Sequence, residues 1–241
     1  HTVILLAGSH SGPENREIML SDGRAIRIIG DPNSNVEDVV LDAENSGRHF
    51  NIFGDYDSTM VFKNITFRGG NGQGDGGDWR LAGSIRIEGG SYWDEQNQQQ
   101  VEGYPSPKFI GCVWEDNHVG SDSDWGAGGA IAIRDASPIF VSCTFKNNSA
   151  SMRGGAFYSQ TMNSQEASSP EFRYTIFSNN SVNSQNDDTR GGAVNLEGAG
   201  EVDFIDCLFE YNMARSQNSN ASGGAVGLEF WQPNFGSNVL F

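Results

Sequence analysis

The chain is short of positive charge. It carries 15 Lys and Arg against 31 Asp and Glu, a formal net charge of −16. Nucleic-acid binding rests on cationic contacts to phosphates, so this balance argues against a nucleic-acid partner. It argues equally against an anionic membrane surface. Cysteine is scarce too: 3 residues in 241 make no disulfide framework. His1, His10, His49 and His118 show no serine or aspartate in a partner pattern. No apolar run is long enough to span a bilayer and no signal peptide is present, so direct membrane insertion is not expected. No GxGxxG precedes a helix, and no stretch holds a 3.6-residue apolar period over a dozen residues.

What is present is a repeat. Four segments align: PKFIGCVWEDN (107–117), PIFVSCTFKNN (138–148), PEFRYTIFSNN (170–180) and EVDFIDCLFEYN (201–212). After a variable loop each reaches a glycine pair: GGAIAI (128–133), GGAFYS (154–159), GGAVNL (191–196) and GGAVGL (223–228). A weaker early copy reads MVFKNITFRGGN (60–71), then AGSIRI (82–87). One aromatic column runs Phe62, Phe109, Phe140, Phe172, Phe204, and a second Phe67, Trp114, Phe145, Phe177, Phe209. Between them lie Ile65, Cys112, Cys143, Thr175 and Cys207; after them, Asn71, Asn117, Asn148, Asn180 and Asn212. The last three steps of each column are 31, 32 and 32 residues. A fixed period of this size means stacked units.

The apolar runs are short, rich in Phe, Ile and Val, and bounded by Gly, Asn, Ser and Pro, which reads as strands. With no crossover helix, equivalent strands of successive repeats pair in parallel and the chain coils. Stacked equivalents lie about 4.8 Å apart, so Phe sits over Phe and each Asn amide bonds the next. The first Phe and the Cys are three residues apart and cannot share a face of one straight strand. A corner therefore falls between them, near Ser142, and the glycine pair suits a second corner.

GGA followed by Ile, Phe or Val, paired with F-x-x-N at Phe145–Asn148, Phe177–Asn180 and Phe209–Asn212, resembles the repeats of polymorphic outer-membrane autotransporter proteins. More broadly it resembles the right-handed β-helix repeats of bacterial and eukaryotic surface proteins. The opening, TVILLAGSHSGPENREIMLSDGRAIRIIGDP, resembles the first turns of such domains. The expected fold is all-β, a single-stranded right-handed parallel β-helix of about seven turns with long loops on one edge. Residues 1–241 are read as one domain, with N-terminal turns over 1–60, repeat turns over 60–230 and the start of a further turn over 231–241. The chain begins and ends inside apparent strands, so a segment of a longer chain is expected, continuing covalently or end to end into further turns. The cysteines are expected to be buried free thiols.

Chemistry is sought on the loops between the Asn column and the glycine pair, which leave one corner and stack. Trp79 and Trp125 each stand four residues before Gly83 and Gly129, preceded by Asp78 and Asp124. Asp75, Asp122, Asp187 and Asp188 add carboxylates to this edge. Asp75, Asp78, Asp122 and Asp124 are candidate Ca²⁺ ligands, since Ca²⁺ takes several oxygens, although no full EF-hand pattern occurs. Stacked indoles beside carboxylates suit a sugar face, with Trp79, Trp125, Asp78 and Asp124 as ligand-binding candidates. The plainer reading has the indoles covering the flank and the aspartates capping turns. A second insertion, 88–107, leaves another corner and offers Tyr92 and Trp93. Four N-x-[ST] sequons mark Asn64, Asn147, Asn179 and Asn220 as glycosylation candidates.

The resemblance implies an extracellular or cell-surface protein, structural or adhesive, presenting loops to a glycan or a surface protein. The alternative is a β-helix polysaccharide lyase or glycoside hydrolase. That reading needs carboxylates converging across a groove, or a Lys or Arg base near a metal. Arg80, Arg134, Arg153 and Arg190 look scattered along the chain, and no catalytic residue is assigned.

Overall fold

The computed structural model describes residues 1–241 apart from 22, 24, 73–78, 95–98, 122–124, 163–166, 230–237 and 241. Three long sheets run along the molecule, every pairing parallel. The first holds Thr2–Leu5, Arg27–Gly30, Val61–Lys63, Lys108–Ile110, Ile139–Val141, Glu171–Arg173, Glu201–Ile205 and Asn238–Leu240. The second holds Gly8–His10, Val39–Asp42, Thr66–Arg68, Val113–Glu115, Thr144–Lys146, Ile176–Ser178 and Leu208–Glu210. The third holds Ile18–Leu20, Phe50–Phe53, Ile85–Glu88, Ile131–Arg134, Phe157–Gln160, Val194–Glu197 and Val226–Glu229. Each turn contributes one strand to each sheet. The result is a parallel β-helix of about seven turns, as the repeat predicts. Among the described residues the only helices are single 3₁₀ turns, Pro13–Asn15 and Val36–Asp38.

The corner expected near Ser142 is there. Asn64, Ser142, Tyr174 and Asp206 take φ of 52, 53, 53 and 52°, and Gly111 takes 59°. One left-handed residue bends the chain between first and second sheets and resets the alternation of side chains. The first Phe and the Cys therefore both point inward although three residues apart. A second left-handed column, Gly69, Asp116, Asn147, Asn179 and Tyr211, closes the second sheet. Asn and Asp tolerate this conformation better than other side chains, which explains their abundance at both corners.

The interior is two aromatic stacks. Phe62, Phe109, Phe140, Phe172 and Phe204 follow one another at centroid distances of 5.0, 5.1, 4.9 and 5.0 Å. Phe67, Trp114, Phe145, Phe177 and Phe209 do so at 5.2, 4.6, 4.9 and 4.7 Å. The stacks meet edge to face, as in Phe140–Phe145 at 5.6 Å and 69°. Strand spacing sets the near-parallel contacts, and the ring quadrupole favours the perpendicular ones. All three cysteines are free, as expected. Burial pushes the Cys112 thiol up to about 12 and raises the Cys143 thiol well above its ordinary value.

The asparagine ladder needs one correction. Asn117, Asn148, Asn180 and Asn212 form it, with Nδ2 donating to the next Oδ1 at 2.9, 3.0 and 3.0 Å. Asn71 is not a member. It pairs in register with His118, and its neighbour Gly70 holds the ladder position, donating its N–H to Asn117 Oδ1 at 2.8 Å. The early copy has a glycine where the others have asparagine, and the next Asn in sequence was a one-residue decoy.

The glycine pair serves two separate needs. Gly154 has φ of 54°, in the left-handed region. Gly155 lies so close to the next turn that a Cβ there would sit 2.2 Å from Gly192 O. Gly129 and Gly192 show the same approach to the carbonyls of Gly155 and Gly224, at 2.0 Å each.

Candidate binding edge and the covered face of the third sheet

Beyond the ladder the loops stack, as their common corner implies. His118–Val119, Ser149–Ala150, Ser181–Ser184 and Met213–Ser216 form a short parallel sheet. Just before the glycine pair, Trp79–Leu81 pairs with Trp125–Ala127, and Thr189–Arg190 with Ala221–Ser222. Single bridges from Ala127 to Arg153 and from Arg153 to Arg190 join the two pairs. One column thus reads Leu81, Ala127, Arg153, Arg190, Ser222.

This edge holds the expected tryptophans. Trp125 is the register partner of Trp79 across adjacent turns. The half-buried Trp125 ring meets Tyr158 edge-on at 5.8 Å and packs on an apolar patch of Leu81, Ala82, Ala127 and Ala132. Asp75, Asp78, Asp122 and Asp124, the candidate calcium ligands, lie outside the described residues. Among the described residues no group of three His, Cys, Asp or Glu side chains is placed to hold a metal. Tyr92 and Trp93 belong to Gly90–Asp94, which pairs antiparallel with Gln99–Gly103 within the 88–107 insertion.

The sequons divide by environment. Asn147 and Asn179 are exposed at left-handed corners, while Asn64 is half-buried at its own. Asn220 is exposed, but its Nδ2 donates to Asp188 Oδ1 at 3.2 Å and its backbone N–H to the same oxygen at 3.0 Å. Asp188 is therefore a turn cap bridging two loops. Ser219 Oγ donates to it at 2.5 Å, and that bond with the Asn220 contacts lowers its pKa.

The outward face of the third sheet is where sequence reasoning missed most. Outward strand positions ordinarily meet water, yet Tyr158 and Asn195 are fully buried. The loop column folds over them and brings two arginines inward. Arg153 Nε lies 2.7 Å from Glu229 Oε1, and Arg190 Nη1 lies 2.5 Å from Glu229 Oε2. Asn195 Nδ2 donates to Glu229 Oε1 at 3.1 Å. Beside them Tyr158 donates a short hydrogen bond to Glu197. Burial first, and the Glu197 charge second, push the Tyr158 hydroxyl far up, so it stays protonated. Gln160 Nε2 donates to Glu197 at 3.2 Å and accepts from Arg134 Nε at 3.1 Å. Arg134 and Arg86 then flank Glu88 at 3.2 and 2.8 Å.

The arginines are thus not scattered: Arg134, Arg153 and Arg190 line one face. The available signal was R-G-G-A at 153–156 and again at 190–193. A buried charge persists only when paired, and here each carboxylate has its partners. The face is a clasp holding the loops on the coil.

Two histidines have serine partners that the linear sequence did not reveal. His118 Nδ1 lies 2.9 Å from Ser149 Oγ on the next turn. His49 Nδ1 lies 2.9 Å from Ser84 Oγ, and His49 Nε2 lies 2.9 Å from Leu41 O. A carbonyl only accepts, so Nε2 carries the proton and Nδ1 accepts from Ser84. His49 and Ser84 are both fully buried, which makes this pair packing and not a nucleophile with its base. Burial holds the His49 pKa down at about 4.

Residues 142–160 match the Chlamydia polymorphic membrane protein repeat. The matched stretch starts at the left-handed corner Ser142, contains Phe145–Asn148 and the 154–155 glycine pair, and ends with the third-sheet strand Phe157–Gln160. It is most of one turn of the coil, and the neighbouring turns repeat its F-x-x-N and GGA positions. No curated protein matches the chain.

Proposed function

We propose that this chain is a surface-displayed β-helix scaffold whose loop edge binds a glycan or a surface protein. The observation that carries the reading is the register of Trp125 with Trp79 across adjacent turns. The half-exposed Trp125 ring, edge-on to Tyr158, offers a flat apolar area on which a sugar ring stacks, and position 79 lies in register with it on the adjacent turn. The match to a membrane-protein repeat supports display at a cell surface. Calcium at Asp75, Asp78, Asp122 and Asp124 belongs to the same reading on sequence grounds, with carboxylate crowding offset by the cation. Melting with Ca²⁺ and with chelator tests it: equal midpoints remove calcium and leave turn capping.

The enzymatic alternative is less well supported. Hydrolysis of a glycoside needs two carboxylates free to act across the scissile bond. On the third-sheet face Glu88, Glu197 and Glu229 are instead held by Arg86 and Arg134, by Tyr158 and Gln160, and by Arg153 and Arg190.

A glycan array followed by calorimetry tests the scaffold reading. Trp125→Ala is expected to weaken the captured glycan at least about tenfold, the scale of a lost aromatic stack, measured at a temperature where the variant stays folded, since the ring also packs on Leu81, Ala82, Ala127 and Ala132. Unchanged affinity in Trp125→Ala would move the site off this edge. Product formation from a polysaccharide would favour the enzyme.

A further inference from the structure

The outer face of the second sheet changes character along the coil. In the earlier turns it carries a charge ladder in register: Asp42, Arg68, Glu115, Lys146. The contacts are 2.8 Å for Arg68–Asp42, 3.9 Å for Arg68–Glu115 and 2.8 Å for Lys146–Glu115. After Lys146 the column continues as Ser178 and Glu210, and the alternation is broken.

The adjoining columns change at the same place. The other outward column of this sheet reads Val40, Thr66, Val113, Thr144, then Ile176 and Leu208; Val40 and Thr66 are buried, whereas Ile176 and Leu208 are exposed. The first corner reads Asn64, Gly111, Ser142, then Tyr174; the second reads Gly69, Asp116, Asn147, Asn179, then Tyr211. These large side chains are exposed: Tyr174 is 58% and Ile176 38% exposed on an inner turn, and Leu208 and Tyr211, on the last described turn of this sheet, are 49% and 80% exposed. Ile176 and Leu208 are direct register partners, and Ile205 pairs with Arg173 beside Tyr174. The residues therefore form one strip across two neighbouring turns, from corner to corner. Single exposed apolar residues need no explanation, but a contiguous set marks an interaction surface.

The charge around the strip says what it fits. Asp206 and Glu210 are exposed along it. The neighbouring cations are committed, Lys146 to Glu115 and Arg173 to Glu171. Among the described residues neither acid has an ion-pair partner, so the strip is apolar with an acidic rim. We infer that it docks a partner-protein segment whose apolar side chains are flanked by lysine or arginine. The site is on a different face from the Trp79–Trp125 edge and does not rest on the glycan reading. Aromatic and aliphatic residues anchor such contacts, and the rim charges set encounter and register.

The columns supply their own test variants. Tyr174→Ser, Ile176→Thr and Leu208→Thr together install residues of the kinds that the same positions carry in earlier turns, so the coil should hold its melting temperature. Asp206→Asn with Glu210→Gln removes only the rim charge. The probe is a fluorescein-labelled ten-residue peptide of alternating lysine and leucine, read by anisotropy, with an alternating glutamate–leucine peptide as control. The intact chain is expected to bind the lysine peptide at least tenfold more tightly than the glutamate peptide. Each variant should lose at least tenfold, and added salt should weaken binding. Undiminished binding by the apolar variant would show attraction to net charge alone and overturn the proposal. So would equal binding of the two peptides. Self-association in sedimentation that the apolar variant abolishes would assign the strip to a second copy and likewise overturn it.

Discussion

Replacing Asn148 by alanine should unfold the coil more readily than any surface change nearby. Asn148 is fully buried, and its side chain makes four hydrogen bonds. Nδ2 donates to Trp114 O and to Asn180 Oδ1, each at 3.0 Å. Oδ1 accepts from Asn117 N–H at 3.1 Å and from Asn117 Nδ2 at 2.9 Å. Asn117 N–H has no other bond to fall back on in this ladder, so alanine orphans a buried donor. At about 1 kcal/mol net per bond, with the orphan costing somewhat more, the loss is ~3–6 kcal/mol. That is a large share of the ~5–15 kcal/mol that holds a domain folded. Urea unfolding followed by tryptophan emission measures it, because Trp114 stacks on Phe145 at 4.6 Å within the affected turns. Two companions calibrate the number. Asn212→Ala, at a half-buried ladder position, should cost about half as much. Asn147→Gly should stay within ~0.5 kcal/mol, because Asn147 is exposed and glycine takes its φ of 56° freely. A cost for Asn148→Ala below ~1 kcal/mol, or no greater than that of Asn147→Gly, would refute the claim that the ladder is a principal bond between turns.

Gly155→Ala should cost at least ~3 kcal/mol, since its Cβ would meet Gly192 O at 2.2 Å and both groups are backbone; a chevron or melting series giving wild-type stability would contradict the close stacking of glycine corners. Acid should destabilise the coil through His49. Its folded pKa of about 4 lies below the ordinary 6.5, so its contribution is complete above pH 6.5 and is lost as pH falls through about 4, ~3 kcal/mol in all; a His49→Gln variant with an unaltered stability slope over that window would exclude it. Thiol titration of unfolded, unreduced protein should find three free sulfhydryls, and alkylation of the native chain should reach half-buried Cys207 well before buried Cys112 and Cys143; a single titratable thiol would mean a Cys112–Cys143 bond.

Much of the fold was legible because a coil writes each structural need once per turn. A column of Phe or Cys is a column of inward positions, and the odd three-residue step from Phe140 to Cys143 exposes the corner at Ser142. The same logic failed where a copy substituted a different residue. Gly70 in the ladder position was invisible beside the tempting Asn71, since only the pairing of Asn71 with His118 fixes the register. The register of the candidate edge was legible in part. Equal spacing before the glycine pairs was enough to place Trp79 against Trp125. It was not enough to find the clasp of Arg153, Arg190 and Glu229, whose members come from three different turns and two different layers.

The sequence by itself determined the parallel coil, its inward columns, the free thiols and the common edge of the loops. These are consequences of period and side-chain alternation, which act through neighbours at a fixed step along the chain. Only the tertiary structure decided which outward residues are wet. The loop column closes over the third sheet and buries Tyr158 and Asn195, while the later turns of the second sheet lie open and leave Leu208, with the corner residues Tyr174 and Tyr211, in water. Periodicity places a side chain on the outside of the coil. Whether that outside is solvent or the underside of a loop depends on the path of segments that do not share the period.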